Sequence, residues 1–158
     1  MPKPLLSTLL LFLASCTLTL PQSTPTLVPE ATMLVSTGTI VSLDGTQWLL
    51  QSYIDLKGNA LDVLPGTEIN ITFQNARVVG VAGCNSYITE YQLQSDQIGF
   101  DLFELTEKYC TSPEGLMDQE RLYMQTLGTV KRFKVVDGRL QLLDVGGQTV
   151  LTYTPFGK

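Results

Sequence analysis

Residues 68–73, which read EINITF, alternate strictly between polar and apolar side chains. This period of two is typical of a β-strand with one face buried and the other in water. Comparable short runs occur at 46–53, 76–82, 87–93, 98–105, 130–136, 139–144 and 148–154. Turn signals such as Asp137-Gly138 and Gly146-Gly147 separate the last three runs and predict hairpins. Many short strands at close spacing predict a mainly β fold, an antiparallel barrel or sandwich.

One segment interrupts the strands and predicts a helix. It spans residues 112–128 and reads SPEGLMDQERLYMQTLG. Ser112 is the expected N-cap and Pro113 the first helical residue, since a missing N–H costs nothing there. Gly128 is the expected residue just beyond the last turn. A single helix among strands is expected to cover one face or one open end of the sheet.

The predicted helix carries an apolar stripe with a carboxylate in it. At about 100° per residue, Leu116, Tyr123 and Leu127 fall on one face, and Glu120 belongs to the same face. A carboxylate there lies at the rim or is buried with hydrogen-bond partners, because an unpaired buried charge is costly. Glu120 is then either a structural link between helix and sheet or a general acid or base. We favour the link, because the chain has no histidine and offers no visible nucleophile or second acid as a partner.

The N-terminus has the layout of a secretory signal. Lys3 provides a charged end, and the apolar run 5–14 is shorter than the roughly 20 residues that span a bilayer. The run ends in LASC at 13–16, which resembles the lipobox of bacterial lipoproteins. The resemblance implies that residues 1–15 are removed and that Cys16 becomes the lipid-bearing first residue. The alternative is ordinary secretory cleavage, which would leave Cys16 as a spare thiol.

The stretch that follows is predicted to be a tether. Residues 17–38 contain several prolines, many Ser and Thr, and almost no charge, so neither a helix nor a strand is favoured. The predicted organisation is therefore a signal peptide at 1–15, the lipidated cysteine with its tether at 16–38, and one folded domain at 39–158.

Composition excludes several classes of function. The 158 residues carry a formal net charge of −5, and the one basic run, 131–134, makes a poor nucleic-acid surface. The absence of histidine removes the commonest general base and zinc ligand. We therefore expect no nucleic-acid partner, no metal and no cofactor, and we expect that the protein is not an enzyme.

Cys84 and Cys110 remain once Cys16 is assigned to lipid. In an exported protein an even pair is read as a disulfide, and we expect one here. Two buried free thiols are the second possibility. A nucleophilic or redox cysteine would need a nearby base or a resolving partner, and two thiolates without histidine fall short of four zinc ligands.

Several of these pieces together resemble a known family. They are GVAGCNSYITEY at 80–91, LTEKYC at 105–110 and the helix 113–127, preceded by LDGTQWLLQSY at 43–53. In combination they resemble the META domain of HslJ-like proteins, from about Leu43 to Tyr153. The resemblance implies a small, mostly antiparallel β-barrel with the helix packed against it. Members are often envelope or secreted proteins, some of them linked to heat shock or stress, without an established catalytic mechanism.

The function that we expect is non-enzymatic. It is that of a membrane-anchored lipoprotein, monomeric, acting in envelope maintenance or stress response through contacts with an envelope protein or peptide. The alternative is a carrier or sensor that holds a small ligand in the barrel interior or at its end. Asn85, Tyr87 and Glu120 are the candidate structural or site residues. Tyr87 and Tyr91 share a strand face and could line a binding groove, although packing in the core is the favoured interpretation.

Overall fold

The computed structural model describes residues 42–157. The elements in chain order are β1 (Thr46–Ile54), β2 (Ala60–Asp62), β3 (Ile69–Gln74), β4 (Arg77–Ala82), β5 (Ser86–Gln94), β6 (Gln97–Phe100), β7 (Glu104–Leu105), α1 (Leu116–Gly128), β8 (Arg132–Val136), β9 (Arg139–Leu143) and β10 (Thr149–Pro155). The predicted signal peptide, Cys16 and tether lie outside the described residues. Among the helices of residues 42–157, none is long and apolar enough to cross a membrane.

Eight of the strands close into an antiparallel barrel. Around the ring the order is β1, β3, β4, β5, β6, β8, β9 and β10, and β10 pairs again with β1. In the closing strand β1, Trp48 faces Ile71 of β3 on one edge and Pro155 of β10 on the other. The two shortest strands lie off the ring, β2 on β1 and β7 on β5. The predicted fold class, a small antiparallel β-barrel with one helix, is confirmed.

The barrel is most sparsely paired between β6 and β8. The register joins these strands only at Gln97 and Arg132. Backbone bonds from Ile98 N to Lys131 O (3.0 Å) and from Phe133 N to Asp96 O (2.9 Å) extend the junction. The guanidinium of Arg132 also binds the Asp96 carboxylate, and this hydrogen bond is the main reason why the pKa of Asp96 is lowered. The junction therefore depends on a side-chain ion pair as well as on the ladder.

The interior of the barrel is filled by its own side chains. In β3, Ile69, Ile71 and Phe73 are fully buried, which confirms the alternation seen in EINITF. The edge of one aromatic ring meets the face of the other where Phe73 packs against Tyr91, with ring centroids 5.2 Å apart. The largest fully buried side chains are Tyr123, Tyr153, Phe73, Leu43, Ile69, Ile71, Ile98, Leu127, Leu140, Leu142, Leu151 and Val78.

The helix begins later than its sequence suggested. Ser112 is not the N-cap and Pro113 is not the first helical residue. The N-cap is Gly115, in a left-handed conformation with φ 84°, and the first helical residue is Leu116. Such a backbone angle is strained for any residue with a Cβ, so the glycine sets the position at which the helix begins. The last helical residue is Gly128, one position later than expected, and Thr129 caps the end. The predicted apolar stripe is confirmed, because Leu116, Tyr123 and Leu127 are all buried.

The run 98–105 was predicted as one strand and is two. β6 ends at Phe100, the chain leaves the ladder for three residues, and β7 then pairs again with β5. In the gap Phe103 turns its ring toward the core, where it packs 6.0 Å from Tyr87 and 5.7 Å from Phe100 between ring centroids. Phe103 is partly buried against the core. In a strand continuous from the buried Ile98, alternation would place Phe103 on the outer face, so its ring reaches the core because the chain leaves the ladder. The short strand β2 was not predicted.

Candidate functional site

The GCN stretch is joined covalently to the segment that precedes the helix. Cys84 and Cys110 form a disulfide, with their Cα atoms 6.0 Å apart. The predicted bridge is confirmed, and neither sulfur is free to act as a nucleophile. Among residues 42–157 no three His, Cys, Asp or Glu side chains come together as a metal site would require. The bond ties the β4–β5 turn to the 101–110 segment, which connects β6 with the approach to α1.

Asn85 is the polar centre of this region. Its side-chain oxygen accepts hydrogen bonds from Thr106 Oγ1 and from the backbone N–H of Lys108, both at 2.7 Å. Its amide nitrogen donates to the carbonyl of Lys108 at 3.0 Å and to Glu120 Oε1 at 2.7 Å. Only 3% of Asn85 is exposed, and its two acceptor and two donor positions are all used. Asn85 therefore fixes the 101–110 segment against the barrel and the helix.

Glu120 joins the helix to the same turn. Its Oε2 accepts hydrogen bonds from the backbone N–H groups of Cys84 (3.1 Å) and Asn85 (2.6 Å), and its Oε1 accepts from the Asn85 amide. The residue is 5% exposed. Charge-assisted bonds of this kind compensate a carboxylate for the loss of water. The geometry matches the structural interpretation of Glu120, as a link between helix and sheet.

Gln119, which the sequence did not single out, makes a parallel link. Its side-chain oxygen accepts from the backbone N–H of Leu64 at 2.6 Å, and its nitrogen donates to Thr67 Oγ1 at 3.0 Å. Gly83 makes room for the first residue of the helix, because a Cβ there would lie 2.8 Å from a methyl carbon of Leu116. The sequence does contain a signal for Gln119, because it is a polar residue next to Glu120 on a helix face that is otherwise apolar.

Three tyrosine hydroxyls form a hydrogen-bonded chain inside the barrel. Tyr87 donates to the carbonyl of Asn70 at 3.0 Å, so its single proton is used. In the 2.7 Å contact with Tyr87, Tyr123 must therefore be the donor, and in the 3.1 Å contact with Tyr123, Tyr153 must donate. Burial raises the pKa of Tyr123 to about 12 and raises the pKa values of Tyr87 and Tyr153 well above their usual range.

Tyr87 and Tyr91 lie in the core, and of the two only Tyr87 also contributes to the lining of an external hollow along β5. They are 3% and 8% exposed, which agrees with the favoured interpretation that both side chains pack in the core. The ring of Tyr87 crosses Gly80, where an added Cβ would lie 2.6 Å from the phenol carbon and 2.2 Å from the Asn70 carbonyl oxygen. The glycine thus admits the tyrosine side chain and allows its hydroxyl to reach β3.

A concave surface lies on the outside of the barrel, along β5. Val79 and Ile88 face each other across β4 and β5, as do Val81 and Ser86. These side chains alternate with buried ones and so point outward. Together with Glu104, Leu105 and Thr106 they line a cavity of about 550 Å³. We call this surface the outer groove.

The outer groove also includes a second, adjoining hollow. That hollow has a volume of about 760 Å³ and shares Ile88 and Glu104 with the first. Its other lining residues are Arg77, Thr89, Glu90, Phe100, Asp101 and Leu102. The 101–110 segment forms one side of both hollows, so the disulfide and Asn85 position the wall of the outer groove.

Comparison with known proteins agrees with this architecture. An NMR structure of a protein from Burkholderia xenovorans is 26% identical and superposes with a TM-score of 0.61 over 73% of this chain and 85% of that chain. A second NMR structure, 18% identical, has a TM-score of 0.52 over 71% of this chain and 90% of its own and shares the fold. No curated protein is significantly similar. The META domain family matches residues 41–155, and the chain belongs to that family.

Proposed function

We propose that this protein is a non-enzymatic bacterial lipoprotein, anchored through Cys16, whose META barrel binds a protein or peptide of the cell envelope. The expected role is envelope maintenance or stress tolerance. The observation that supports binding is the outer groove. There Val79 is 37% and Leu105 39% exposed, beside outward-facing Ile88. Concave apolar surface left in contact with water favours a binding surface.

The disulfide supports an extracytoplasmic location. Bridges such as Cys84–Cys110 persist in oxidising compartments and are rare in the cytosol. The LASC sequence at 13–16 supports lipid attachment at Cys16, and two or more acyl chains on one residue hold a protein stably at a membrane.

The alternative, a carrier of a small ligand inside the barrel, has less support. Phe73, Tyr123 and Tyr153 are fully buried there and occupy the space that such a ligand would need. A catalytic role is also disfavoured, because Glu120 and both described cysteines are already engaged in bonds that hold the domain together.

Crosslinking in living bacteria tests the binding role. A photo-crosslinking amino acid at Val79 is expected to give a discrete adduct with an envelope component. The same amino acid at Val145, which is 87% exposed in the β9–β10 turn outside the lining of the outer groove, is the matched control. Absence of an adduct at Val79, or equal adducts at both positions, would contradict the proposal.

Cell fractionation tests the anchor separately. Cys16→Ala is expected to move the protein from the membrane fraction to the soluble fraction, because the thiol that accepts lipid is lost. Cys16→Ala protein that stays in the membrane fraction would refute lipid anchoring and leave the binding role to be judged by the crosslinks.

A further inference from the structure

We infer that the outer groove takes an extended peptide segment with apolar side chains at one end and Lys or Arg at the other. This inference rests on the proposed binding function and adds the chemistry of the partner. It follows from the register of β4, β5 and β7, from the exposure of the side chains that line the groove, and from the unequal distribution of charge along it.

The shape of the outer groove follows from strand register. Along β5 the outward residues are Ser86, Ile88 and Glu90, and their cross-strand neighbours on β4 are Val81, Val79 and Arg77. On the opposite side, Glu104 of β7 pairs with Ile88. The groove therefore runs parallel to β5, with a floor about 13 Å long at the usual strand rise. A trough of this length and direction fits about five residues of extended chain.

The two ends of the outer groove differ in character. Val79 and Ile88 form an aliphatic pair, beside which lies Glu104 of β7, a residue that lines both hollows. Around the Arg77–Glu90 pair the lining contains three carboxylates, Glu90, Asp101 and Glu104, against one guanidinium, that of Arg77. Arg77 and Glu90 are 3.7 Å apart with side chains more than half exposed, so their pairing is weak. The excess negative charge at this end complements a cation.

A second copy of this chain is a poorer occupant. β7 pairs with β5 and, within the described residues, with no other strand. Antiparallel pairing of two β7 strands would bring Asp101, Glu104 and Glu107 of one copy close to the same residues of the other. Like charges across a strand pair are destabilising. The carboxylates that attract a basic segment therefore oppose self-association at the same surface.

The exposed apolar residues near the groove favour a peptide over a free cation. Leu102, beside the acidic end, is 91% exposed, and Leu105, at the apolar end, is 39% exposed. A metal or a simple amine would leave these side chains in water. A chain with apolar and basic residues covers them and meets the carboxylates in one binding event.

Peptide binding to the purified protein tests the inference. The probes are three labelled, end-blocked peptides of about seven residues in which Val and Thr alternate. One peptide carries two Arg at one end, another two Glu, and the third has neither. Fluorescence anisotropy is expected to show binding that favours the Arg peptide and weakens as salt is raised. Equal affinity for the Arg and Glu peptides would overturn the inference.

Charge variants on the exposed rim give predictions of opposite sign. Glu90→Gln combined with Glu104→Gln is expected to weaken binding of the Arg peptide about tenfold, because two attractive charges are lost. Arg77→Gln is expected to strengthen binding about threefold by removing a repulsive charge. Glu107→Gln, a neighbouring exposed carboxylate outside the lining, is the matched control and should change little. Identical affinities for all variants would overturn the inference, and thermal unfolding checks that each variant is folded.

Two further outcomes separate this inference from the proposed function. One outcome is that the Val79 crosslink persists in cells carrying Glu90→Gln and Glu104→Gln. A partner then binds but is not selected by charge, so the inference of a cationic partner is rejected and the proposed binding function stands. If sedimentation shows a dimer that Ile88→Ser abolishes, the occupant is a second copy and the inference is overturned. Loss of the crosslink in the double variant but not in Glu107→Gln supports both proposals.

Discussion

The amide nitrogen of Asn85 lies 2.7 Å from Oε1 of Glu120, a contact that joins residues 35 positions apart. Both side chains are buried, and each also bonds to backbone groups of another segment. This pair holds the β4–β5 turn, the 101–110 segment and α1 in one arrangement. The wall of the outer groove is part of that arrangement, so the buried pair supports the surface proposed to bind.

Replacing Glu120 tests its structural role. Glu120→Ala leaves three N–H donors without their acceptor, and the free energy of unfolding should fall by about 3 kcal/mol or more. Glu120→Gln should cost roughly half as much, because its amide would place one donor against another. Urea denaturation measures both changes.

Asp118→Asn, at an exposed position on the same helix, is the control and should change stability by less than about 0.5 kcal/mol. The structural role would be contradicted if Glu120→Gln kept the stability of the wild-type protein and lost a measured activity.

The Cys84–Cys110 bridge should account for a large share of stability. It spans a sequence separation of 26, for which the chain-entropy account gives about 3–4 kcal/mol. Replacing both cysteines with Ala should lower the free energy of unfolding by that amount, and reductant should bring the wild-type protein to the same level. Denaturation with and without reductant measures this. Two thiols that alkylate before reduction, seen by intact mass, would refute the bridge.

Gly80 should tolerate no side chain. In Gly80→Ala the new Cβ would lie 2.2 Å from the Asn70 carbonyl oxygen, so Tyr87 or β3 must move. We expect a loss of about 3 kcal/mol in the free energy of unfolding, from crowding and from the lost Tyr87 hydrogen bond. Gly99→Ala in β6 is the matched control, because nothing lies within 4 Å of its added Cβ. Equal thermal unfolding of the two variants would contradict this close packing.

The tyrosine chain predicts loss of stability in alkali. The pKa of Tyr123 is raised to about 12, against an ordinary value of 10.0. Below pH 10 the phenol is protonated in both states, and above it the unfolded chain ionises first. Stability should therefore fall between about pH 10 and pH 12, by up to about 1.4 kcal/mol per pH unit for each buried tyrosine. Urea denaturation at successive pH values measures the slope.

Variants identify which tyrosines cause the alkaline slope. Tyr123→Phe should make the slope shallower, because one of the three buried phenols is removed. At neutral pH it should cost more stability than Tyr153→Phe, because only Tyr123→Phe deprives another hydroxyl, that of Tyr153, of its acceptor. Tyr109→Phe, at a side chain 82% exposed and outside the network, should leave the slope unchanged. An equal slope in Tyr123→Phe and wild-type protein would contradict the assignment.

Local patterns predicted most of the strands and the face of the helix. The alternation in 68–73 became β3, and Leu116, Tyr123 and Leu127 became the buried side of α1. The start of the helix was missed, because the left-handed conformation of Gly115 depends on how the chain approaches the barrel. The break at 101–103 was missed for a similar reason, since Phe103 leaves the ladder to reach an aromatic cluster contributed by other strands.

By itself, the sequence predicted the fold class, the family resemblance and the place of Glu120 on the apolar helix face, because alternation and helical spacing act over short distances. It favoured the Cys84–Cys110 bridge over two free thiols, since counting cysteines needs no geometry, but the bond and the burial of Glu120 appear only in the folded structure. Only the tertiary structure decided which distant groups meet. The hydroxyls of Tyr87, Tyr123 and Tyr153 are separated by 36 and 30 positions and come together because the barrel closes under the helix. The outer groove likewise exists only through the pairing of β5 with β4 and β7. Register places Val79 against Ile88 and Glu104 beside them, and no local pattern encodes register between strands.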